Sequence, residues 1–228
     1  MSLKWSSHPS PSTKAARPSL SPSVRGPNGK PELTATFVGS YPDPAVPLDP
    51  PLPEIAFVGR SNVGKSTLLN ALVGIRGLAK VSATPGKTRL MNVFRLDTCY
   101  FVDLPGYGWA KASQGERVGF RRLLDTYLKK RERVSGVVWL LDIRHAPSDD
   151  DYIVQDLLIA TSRPALTVLT KGDKLARSAR LSAVKARAKD LGLDPGDVLV
   201  TSAMKGEGIA DLRRSILSTV GPSDRRTV

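Results

Sequence analysis

The sequence predicts an α/β domain with a mostly parallel six-stranded sheet, one antiparallel strand and helices on both faces. From Glu54 onward, short apolar runs alternate with longer stretches of helical periodicity. This alternation is typical of right-handed crossovers between parallel strands. The chain has 228 residues, of which 40% are hydrophobic, and this is enough for the core of one domain plus a tail.

The predicted elements follow one another from the first apolar run to the last helix. We expect strands at Ile55–Val58, Met91–Leu96, Tyr100–Val102, Val137–Leu141, Ala165–Leu169 and Val198–Val200. We expect helices near 65–73, 114–131, 149–161, 177–191 and 208–219. Because only the short link 97–99 separates the second and third strands, these two are predicted to form the antiparallel hairpin.

The N-terminal quarter differs in composition from the rest of the chain. Twelve of the 18 prolines fall in residues 1–53, and proline, with a fixed φ and no N–H donor, excludes helices and central strands. We therefore expect a disordered Pro/Ser-rich tail at 1–32 and an extended lead-in at 33–53, of which 34–38 packs on the domain. The folded domain is expected at 54–220, followed by a C-terminal tail at 221–228.

The charge and the reactive residues exclude several classes of protein. The net charge is +13, and residues 1–53 contribute only +2 of it, so the folded part carries +11. A single cysteine excludes a disulfide framework, and two histidines argue against a histidine-rich zinc site. Since no apolar run approaches the roughly 20 residues of a membrane span, we expect a cytoplasmic protein with no membrane partner.

The first predicted strand leads into a phosphate-loop motif and then into an apolar-periodic helix. The motif G-x-x-x-x-G-K-S consists of Gly59, Arg60, Ser61, Asn62, Val63, Gly64, Lys65 and Ser66. Its glycines let backbone N–H groups form a nest for anions, and the helix N-terminus adds its dipole. In such loops the lysine reaches the β- and γ-phosphates and the serine hydroxyl binds Mg²⁺.

Three further strings lie at the ends of predicted strands. They are Asp103, Leu104, Pro105 and Gly106; Thr170, Lys171, Gly172 and Asp173; and Thr201, Ser202 and Ala203. The aspartate of the first can hold Mg²⁺ through water, and its glycine N–H can reach a γ-phosphate. The aspartate of the second can accept from both the ring N–H and the amino group of guanine, a pair that adenine lacks.

The third string admits two compatible interpretations. A backbone N–H there could contact guanine O6, or the hydroxyls could cap the last helix.

In their order, the four strings are those of a P-loop GTPase, and the predicted fold is the P-loop GTPase fold. The missing element is a threonine before Asp103 that senses the γ-phosphate, for which Thr84 and Thr88 are candidates.

From about Phe37 to Leu217 the sequence resembles the EngB (YihA/YsxC) family of the TrmE–Era–EngA–EngB–Septin-like GTPases. The strings that carry the resemblance are PEIAFVGRSNVGKSTLLNAL, SATPGKTRLMN, FVDLPGYGWAK, LLDIRHAPSDDD, LTKGDKL and TSAMKGEG. The resemblance implies a switch-one contact to the nucleotide at Gly86, Lys87, Thr88, Arg89 and Leu90. It thereby favours Thr88 over Thr84 and implies Mg²⁺ held by Ser66 and Thr88.

The resemblance also implies an activity and a cellular role. Members bind GTP or GDP with Mg²⁺, hydrolyse GTP slowly, assist assembly of the large ribosomal subunit and are linked to cell division and septation. The catalytic groups would be Lys65, Thr88 and Gly106. Because Tyr107 replaces the glutamine that orients water in other GTPases, we expect a low intrinsic rate of hydrolysis. Tyr107 and Trp109 lie in the switch region and are candidates for contact with a partner.

Two further hypotheses concern Asn62 and the basic residues 117–133. Asn62 resembles the phosphate-loop asparagine of relatives that bind K⁺, or it is an ordinary loop-stabilising residue. Residues 117–133 carry a net charge of +5, and they form either a solvated helix face or a contact for rRNA phosphates. The apolar positions of this predicted helix recur at helical spacing, at Phe120, Leu123, Leu124, Tyr127 and Leu128.

Two other functions compete with a monomeric GTPase switch that acts on the large ribosomal subunit. An ATP-using kinase or ATPase would also contain a phosphate loop, but Asp173 argues against it. A nucleotide-binding scaffold would share every motif, and its hydrolysis would have no role. Competition between GTP and ATP, and a variant that binds without hydrolysing, separate these alternatives.

Overall fold

A computed structural model describes residues 35–75, 77–79, 90–108 and 113–221 of the chain. The strands are β1 Thr36–Tyr41, β2 Glu54–Gly59, β3 Met91–Arg95, β4 Tyr100–Asp103, β5 Val134–Asp142, β6 Ala165–Thr170 and β7 Val198–Val200. The helices are α1 Lys65–Val73, α2 Gln114–Lys130, α3 Asp149–Ala160, α4 Arg177–Leu191 and α5 Ile209–Val220. The predicted α/β class and its element order are confirmed, and every predicted helix is found within one or two residues of its expected bounds.

The sheet has seven strands in the order β1-β3-β4-β2-β5-β6-β7, so the predicted number of six is wrong by one. β3 runs antiparallel to both of its neighbours, β1 and β4, whereas the other pairings are parallel. The additional strand β1 is an edge strand, and its register shifts between Phe37 and Gly39. The sequence predicted only an extended piece there because the prolines after Tyr41 end the run at once.

Each face of the sheet is covered by its own helices and its own core. α1 and α5 pack on one face through Leu68, Leu72, Leu212 and Ile216. α2, α3 and α4 pack on the other face, where buried Tyr107, Tyr127 and Trp139 join aliphatic side chains. Both faces of the central strand β2 are therefore buried, and its carboxyl end points into a cleft between the loops of neighbouring strands.

The lead-in before β2 is held on the domain by polar contacts. The Arg131 guanidinium donates to the carbonyls of Pro44, at 3.0 Å, and Val46, at 2.6 Å. The same buried side chain is paired with Glu54 at 2.7 Å. This ties residues 44–46 to the start of β2 and to the end of α2. Within the described part of the chain, no helix is both long and apolar enough to cross a membrane.

Candidate nucleotide site

The phosphate loop lies between the end of β2 and the start of α1, as the motif predicts. Gly64 adopts φ +100°, a conformation that L side chains rarely take, and α1 begins at the next residue. A Cβ on Gly59 would lie 2.9 Å from both Leu140 Cβ and Val63 Cγ1, so no side chain fits there. The loop therefore presents the unpaired N–H groups of a helix N-terminus beside a lysine, an arrangement that suits phosphate.

Lys65 and Asp103, predicted from separate motifs, meet at the carboxyl edge of the sheet. The Lys65 ammonium donates to the Asp103 carboxylate. The two side chains are only 11% and 7% exposed. A lysine in this position can exchange its carboxylate partner for phosphate oxygens, because both are anionic acceptors.

The segment that follows Asp103 lies alongside the phosphate loop. The Ser61 N–H donates to the Tyr107 carbonyl at 2.8 Å, and the Tyr107 N–H donates to the Gly59 carbonyl at 3.4 Å. A Cβ on Gly106 would lie 3.0 Å from Ser61 Oγ and 3.1 Å from Ser61 N. The backbone of Gly106 therefore approaches the phosphate loop closely, as a γ-phosphate contact would require.

Tyr107 is buried and points away from the cleft. Its hydroxyl donates to Asp151 Oδ1 at 2.7 Å and accepts from Trp139 Nε1 at 3.0 Å. Burial, followed by the charge of Asp151, raises the pKa of Tyr107 well above its ordinary value. Our expectation that Tyr107 contacts a partner does not fit this position, because the core uses both the ring and the hydroxyl. Trp109 lies outside the described residues.

The base-recognition strings also meet at this edge of the sheet. Thr170 Oγ1 donates to the Val63 carbonyl at 2.7 Å, which joins the end of β6 to the phosphate loop. Ser202 Oγ donates to Asp173 Oδ1 at 2.6 Å. This hydrogen bond is the main cause of the lowered pKa of Asp173. The carboxylate that is predicted to read guanine is thus oriented and held as an anion.

The loop after β7 packs against the loop that carries Asp173. The Gly172 N–H donates to the Thr201 carbonyl at 2.9 Å. A Cβ on Gly172 would lie 2.9 Å from Val200 Cγ1, so a larger residue here would require the Val200 side chain to shift. Thr201 Oγ1 is buried and has no hydrogen-bond partner among the described residues. The two strings are packed as one unit, with Ala203 at the start of the following turn.

The predicted switch-one residues Gly86, Lys87, Thr88 and Arg89 lie outside the described residues. Leu90, the last of that set, is described and half-buried directly before β3. The structure therefore brings together the phosphate loop, the Asp103 string and both base strings. The role of Thr88 remains a prediction.

The described residues contain no group of three or more His, Cys, Asp or Glu side chains that could hold a metal ion. A protein-only cage for a transition metal is therefore not built from this part of the chain. The phosphate loop itself contains the Ser66 hydroxyl, and the buried Asp103 carboxylate is paired with its Lys65. This donor set suits Mg²⁺, which prefers oxygen ligands and takes most of them from water and substrate phosphates.

Two carboxylates near the site were missed from the sequence. Asp151 accepts from Tyr107, and Asp142, at the end of β5, accepts from Arg144 and Lys171. Asp142 could have been found, because the carboxyl ends of the parallel strands β5 and β6 are neighbours and Lys171 follows β6. Asp151 gives no comparable signal, since its partner lies 44 positions away in the chain.

Comparison with known proteins supports this geometry. The family model described as "50S ribosome-binding GTPase" matches residues 54–171. The "Probable GTP-binding protein EngB" of Syntrophomonas wolfei is 45% identical over 166 residues, which are 72% of this chain and 86% of the relative. The protein of the same name from Prosthecochloris aestuarii is 47% identical over 171 residues, 75% of this chain and 88% of the relative.

Solved structures agree on the fold. A crystal structure of a probable GTP-binding protein engB has a TM-score of 0.62 at 21% identity and covers 73% of this chain and 98% of that one. This match shows the fold, and the family model and the curated relatives confirm the resemblance inferred from the motifs. The phosphate loop, its neighbouring strings and these similarities establish that the chain belongs to the EngB family of P-loop GTPases.

Proposed function

We propose that this GTPase is a nucleotide-controlled switch that docks on rRNA during assembly of the large ribosomal subunit, with a consequent role in cell division and septation. The observation that carries the proposal is the basic outer face of α2, which begins a few residues beyond the Asp103–Gly108 segment. The family description "50S ribosome-binding GTPase" supports the same partner. We further propose that the protein acts as a monomer in the cytoplasm.

The basic outer face of α2 is formed by six exposed cations, five on the helix and one just beyond its end. They are Arg117, Arg121, Arg122, Lys129 and Lys130 within α2, and Arg133 three residues after it. The inner face is apolar, with Leu124, Tyr127 and Leu128 fully buried. Arg131 is an exception to the expected pattern, because it is buried and paired with Glu54. Six cations on one exposed face supply the sequence-independent attraction to phosphates on which RNA docking depends.

The proximity of α2 to the phosphate loop would make docking sensitive to the nucleotide. Tyr107 is anchored to the phosphate loop on one side and to Asp151 and Trp139 on the other. A γ-phosphate contact at Gly106 would act on this segment, and α2 begins only a few residues later. We therefore propose that exchange of GDP for GTP changes how the basic outer face of α2 is presented.

Mg²⁺ belongs to the proposal, with Ser66 and Thr88 as its protein ligands, and it would neutralise phosphate charge when bound. In the proposed catalysis, Lys65 holds the β- and γ-phosphates and the Gly106 N–H donates to the γ-phosphate. Tyr107 cannot orient the attacking water, since its hydroxyl is used in the core. We therefore propose slow intrinsic hydrolysis.

Stimulation by K⁺ through Asn62 is a further hypothesis. Equal hydrolysis rates in K⁺ and Na⁺, for the wild type and for Asn62→Ala, would remove it.

Binding to purified large ribosomal subunits at several salt concentrations tests the docking proposal. We expect sedimentation with the subunit for protein loaded with a non-hydrolysable GTP analogue, and weaker binding with GDP. Reversal of Arg117, Arg121 and Arg122 to Glu should weaken binding and flatten its salt dependence by about three counterions. The matched control reverses three exposed cations of α4, namely Arg177, Lys185 and Lys189.

The control separates local docking from general charge. If both triple variants lose binding equally, net charge rather than the basic outer face of α2 holds the subunit. If neither loses binding, the contact lies elsewhere on the molecule. Unchanged affinity for GDP in both variants is required in each case, because the nucleotide site must remain intact.

A further inference from the structure

Lys171 is held in an unusual backbone conformation between two loops. Its φ is +59°, a region that costs a residue with a side chain roughly 1 kcal/mol. Its ammonium donates to the Asn62 carbonyl at 2.6 Å. Its Cε would lie 3.9 Å from a Cβ on Gly64. The lysine stem thus crosses from the loop after β6, residues 171–173, which we call the base loop, to the phosphate loop. Strained residues of this kind persist only where surrounding contacts fix them.

Asp142 supplies one of the fixing contacts. Its Oδ2 lies 3.0 Å from Lys171 Nζ, with the two side chains 12% and 27% exposed. Asp142 ends β5 and Lys171 follows β6, and the register places Asp142 opposite Thr170. The carboxylate is therefore carried by the rigid sheet, on the strand next to the one that leads into the base loop.

The Asp142 carboxylate is itself oriented by Arg144. The Arg144 Nε and Nη2 donate to its two oxygens at 2.9 and 2.7 Å, and the Arg144 backbone N–H donates at 3.1 Å. Burial alone would raise the pKa of Asp142, but the hydrogen bonds from Arg144 and Lys171 lower it below its usual range. The group consequently remains an anion, with one oxygen directed at the lysine.

We propose that Asp142 is a positioning residue of the nucleotide site, whose carboxylate holds Lys171 across the gap between the base loop and the phosphate loop. The Lys171 stem then presents its methylene groups to the face of the purine, while Asp173 reads the edge of the base. Asp142 touches no nucleotide and acts only through Lys171. The inference rests on the proposed contact between Lys171 and the base, and the experiment below separates the two.

A double-mutant cycle on the full chain tests the proposal, with the affinity and dissociation rate of a fluorescent GDP as the readout. The variants are Asp142→Asn, Lys171→Ala and the two together. We expect Asp142→Asn to weaken GDP binding about tenfold, mainly through faster dissociation, and Lys171→Ala to weaken it at least as much. In the Lys171→Ala background, Asp142→Asn should change the affinity by less than about twofold, because its only route is through the lysine.

Two controls identify positioning rather than loss of structure. Arg144→Ala removes the other side chain bound to the carboxylate and should weaken GDP binding clearly less than Asp142→Asn does, because the charge, Lys171 and a backbone N–H remain. Asp142→Glu keeps the charge and should lie closer to the wild type than Asp142→Asn does. The ratio of inosine diphosphate to GDP affinity, which reports edge recognition by Asp173, should be the same in Asp142→Asn as in the wild type.

Each remaining outcome has one meaning. Additive effects of the two substitutions, or a changed inosine-to-guanosine ratio, overturn the positioning role of Asp142. A wild-type affinity for Asp142→Asn beside a weakened Lys171→Ala overturns it too, and leaves the base contact intact. Wild-type affinity in both single variants overturns the base contact itself. If Asp142→Asn unfolds, Asp142→Ser, which also removes the carboxylate, is used in both lysine backgrounds for the same cycle.

Discussion

The two ends of the nucleotide cleft differ in how their polar groups are paired. At the base end, Asp173 is bound to Ser202, Lys171 to Asp142 and Asn62, and Thr170 to Val63. At the phosphate end, the Lys65 ammonium is paired with Asp103, and the backbone of Ser61 and Tyr107 is joined across the loop. We expect the base end to keep its contacts when nucleotide binds, and the Lys65 ammonium at the phosphate end to exchange Asp103 for phosphate oxygens.

This difference indicates that the two ends of the cleft have different roles in nucleotide binding. A base site whose side chains are already oriented loses little entropy on binding and can discriminate between purines. A phosphate site that exchanges a lysine–aspartate pair for phosphate contacts couples nucleotide binding to the position of the Asp103–Gly108 segment. We therefore expect substitutions at the phosphate end to change both stability and binding, and substitutions at the base end to change nucleotide affinity or specificity with little effect on stability.

Lys65→Ala is expected to give the largest effect. It leaves the buried Asp103 carboxylate without its partner, which should lower the free energy of unfolding of the nucleotide-free protein by about 3 kcal/mol. It should also weaken GTP binding by about 100-fold. Urea unfolding and nucleotide titration measure the two losses.

Lys129→Ala is the matched control for Lys65→Ala. It breaks an exposed pair with Asp125 at 2.8 Å and should cost no more than about 0.5 kcal/mol. Equal losses of stability in the two variants would contradict the assignment of a buried pair to the phosphate end.

Asp173→Asn should change specificity and leave stability nearly intact. The amide oxygen still accepts from Ser202, so the unfolding midpoint should move little, but the loss of two charge-assisted hydrogen bonds should weaken GTP binding by about 100-fold. The variant should bind xanthosine triphosphate more tightly than the wild type does, since the new amide N–H₂ can donate to the additional carbonyl of xanthine. An unchanged preference for GTP would show that Asp173 does not read the base.

The pH dependence of the wild type provides a second measure of Asp173. The Ser202 hydrogen bond lowers the pKa of Asp173, so its charge is present above the ordinary aspartate pKa and is lost only as pH falls through the lowered value. The ratio of GTP affinity to inosine triphosphate affinity, in which titration of the phosphates cancels, should therefore stay level from about pH 8 to about pH 5. A decline that begins near the ordinary aspartate pKa would contradict the assigned hydrogen bond.

Tyr107→Phe is expected to give the smallest of these effects. It removes the hydroxyl between Trp139 and Asp151, while Asp151 still accepts from Ser148 N and Oγ at 2.7 Å. The expected loss of stability is about 1–2 kcal/mol, with GDP affinity unchanged. Tyr152→Phe, whose hydroxyl makes a 3.4 Å contact at the surface, should cost less than about 0.5 kcal/mol, and an equal cost in both variants would argue against the buried network.

The sequence predicted those parts of the fold and site that local spacing determines. The phosphate loop was predictable because one nest of N–H groups requires its glycines and lysine at fixed positions. The hairpin of β3 and β4 was predictable because its link is short. The pairs Glu54–Arg131 and Tyr107–Asp151 were not, since each joins residues far apart in the chain that the fold alone brings together.

Where the prediction of the surface failed, local periodicity was the cause. Helical spacing placed Arg131 with the other cations near the end of α2, but the helix ends at Lys130, and Arg131 turns inward to reach Glu54. Similarly, Tyr107 follows a sequence that is typical of a nucleotide-sensing segment, yet its ring packs against Phe120 with centroids 5.1 Å apart. A sequence pattern specifies the backbone path of such a segment better than the direction of each side chain.

The hydrogen bond between Trp139 and Tyr107 also gives the protein a natural optical reporter. The chain contains three tryptophans, Trp5, Trp109 and Trp139, and Trp139 is only 2% exposed, with its indole N–H on the Tyr107 hydroxyl. In a protein with Trp5 and Trp109 replaced by phenylalanine, the emission of Trp139 comes from one known environment. Its wavelength and lifetime would follow the position of Tyr107 directly, so nucleotide exchange could be timed without an attached dye.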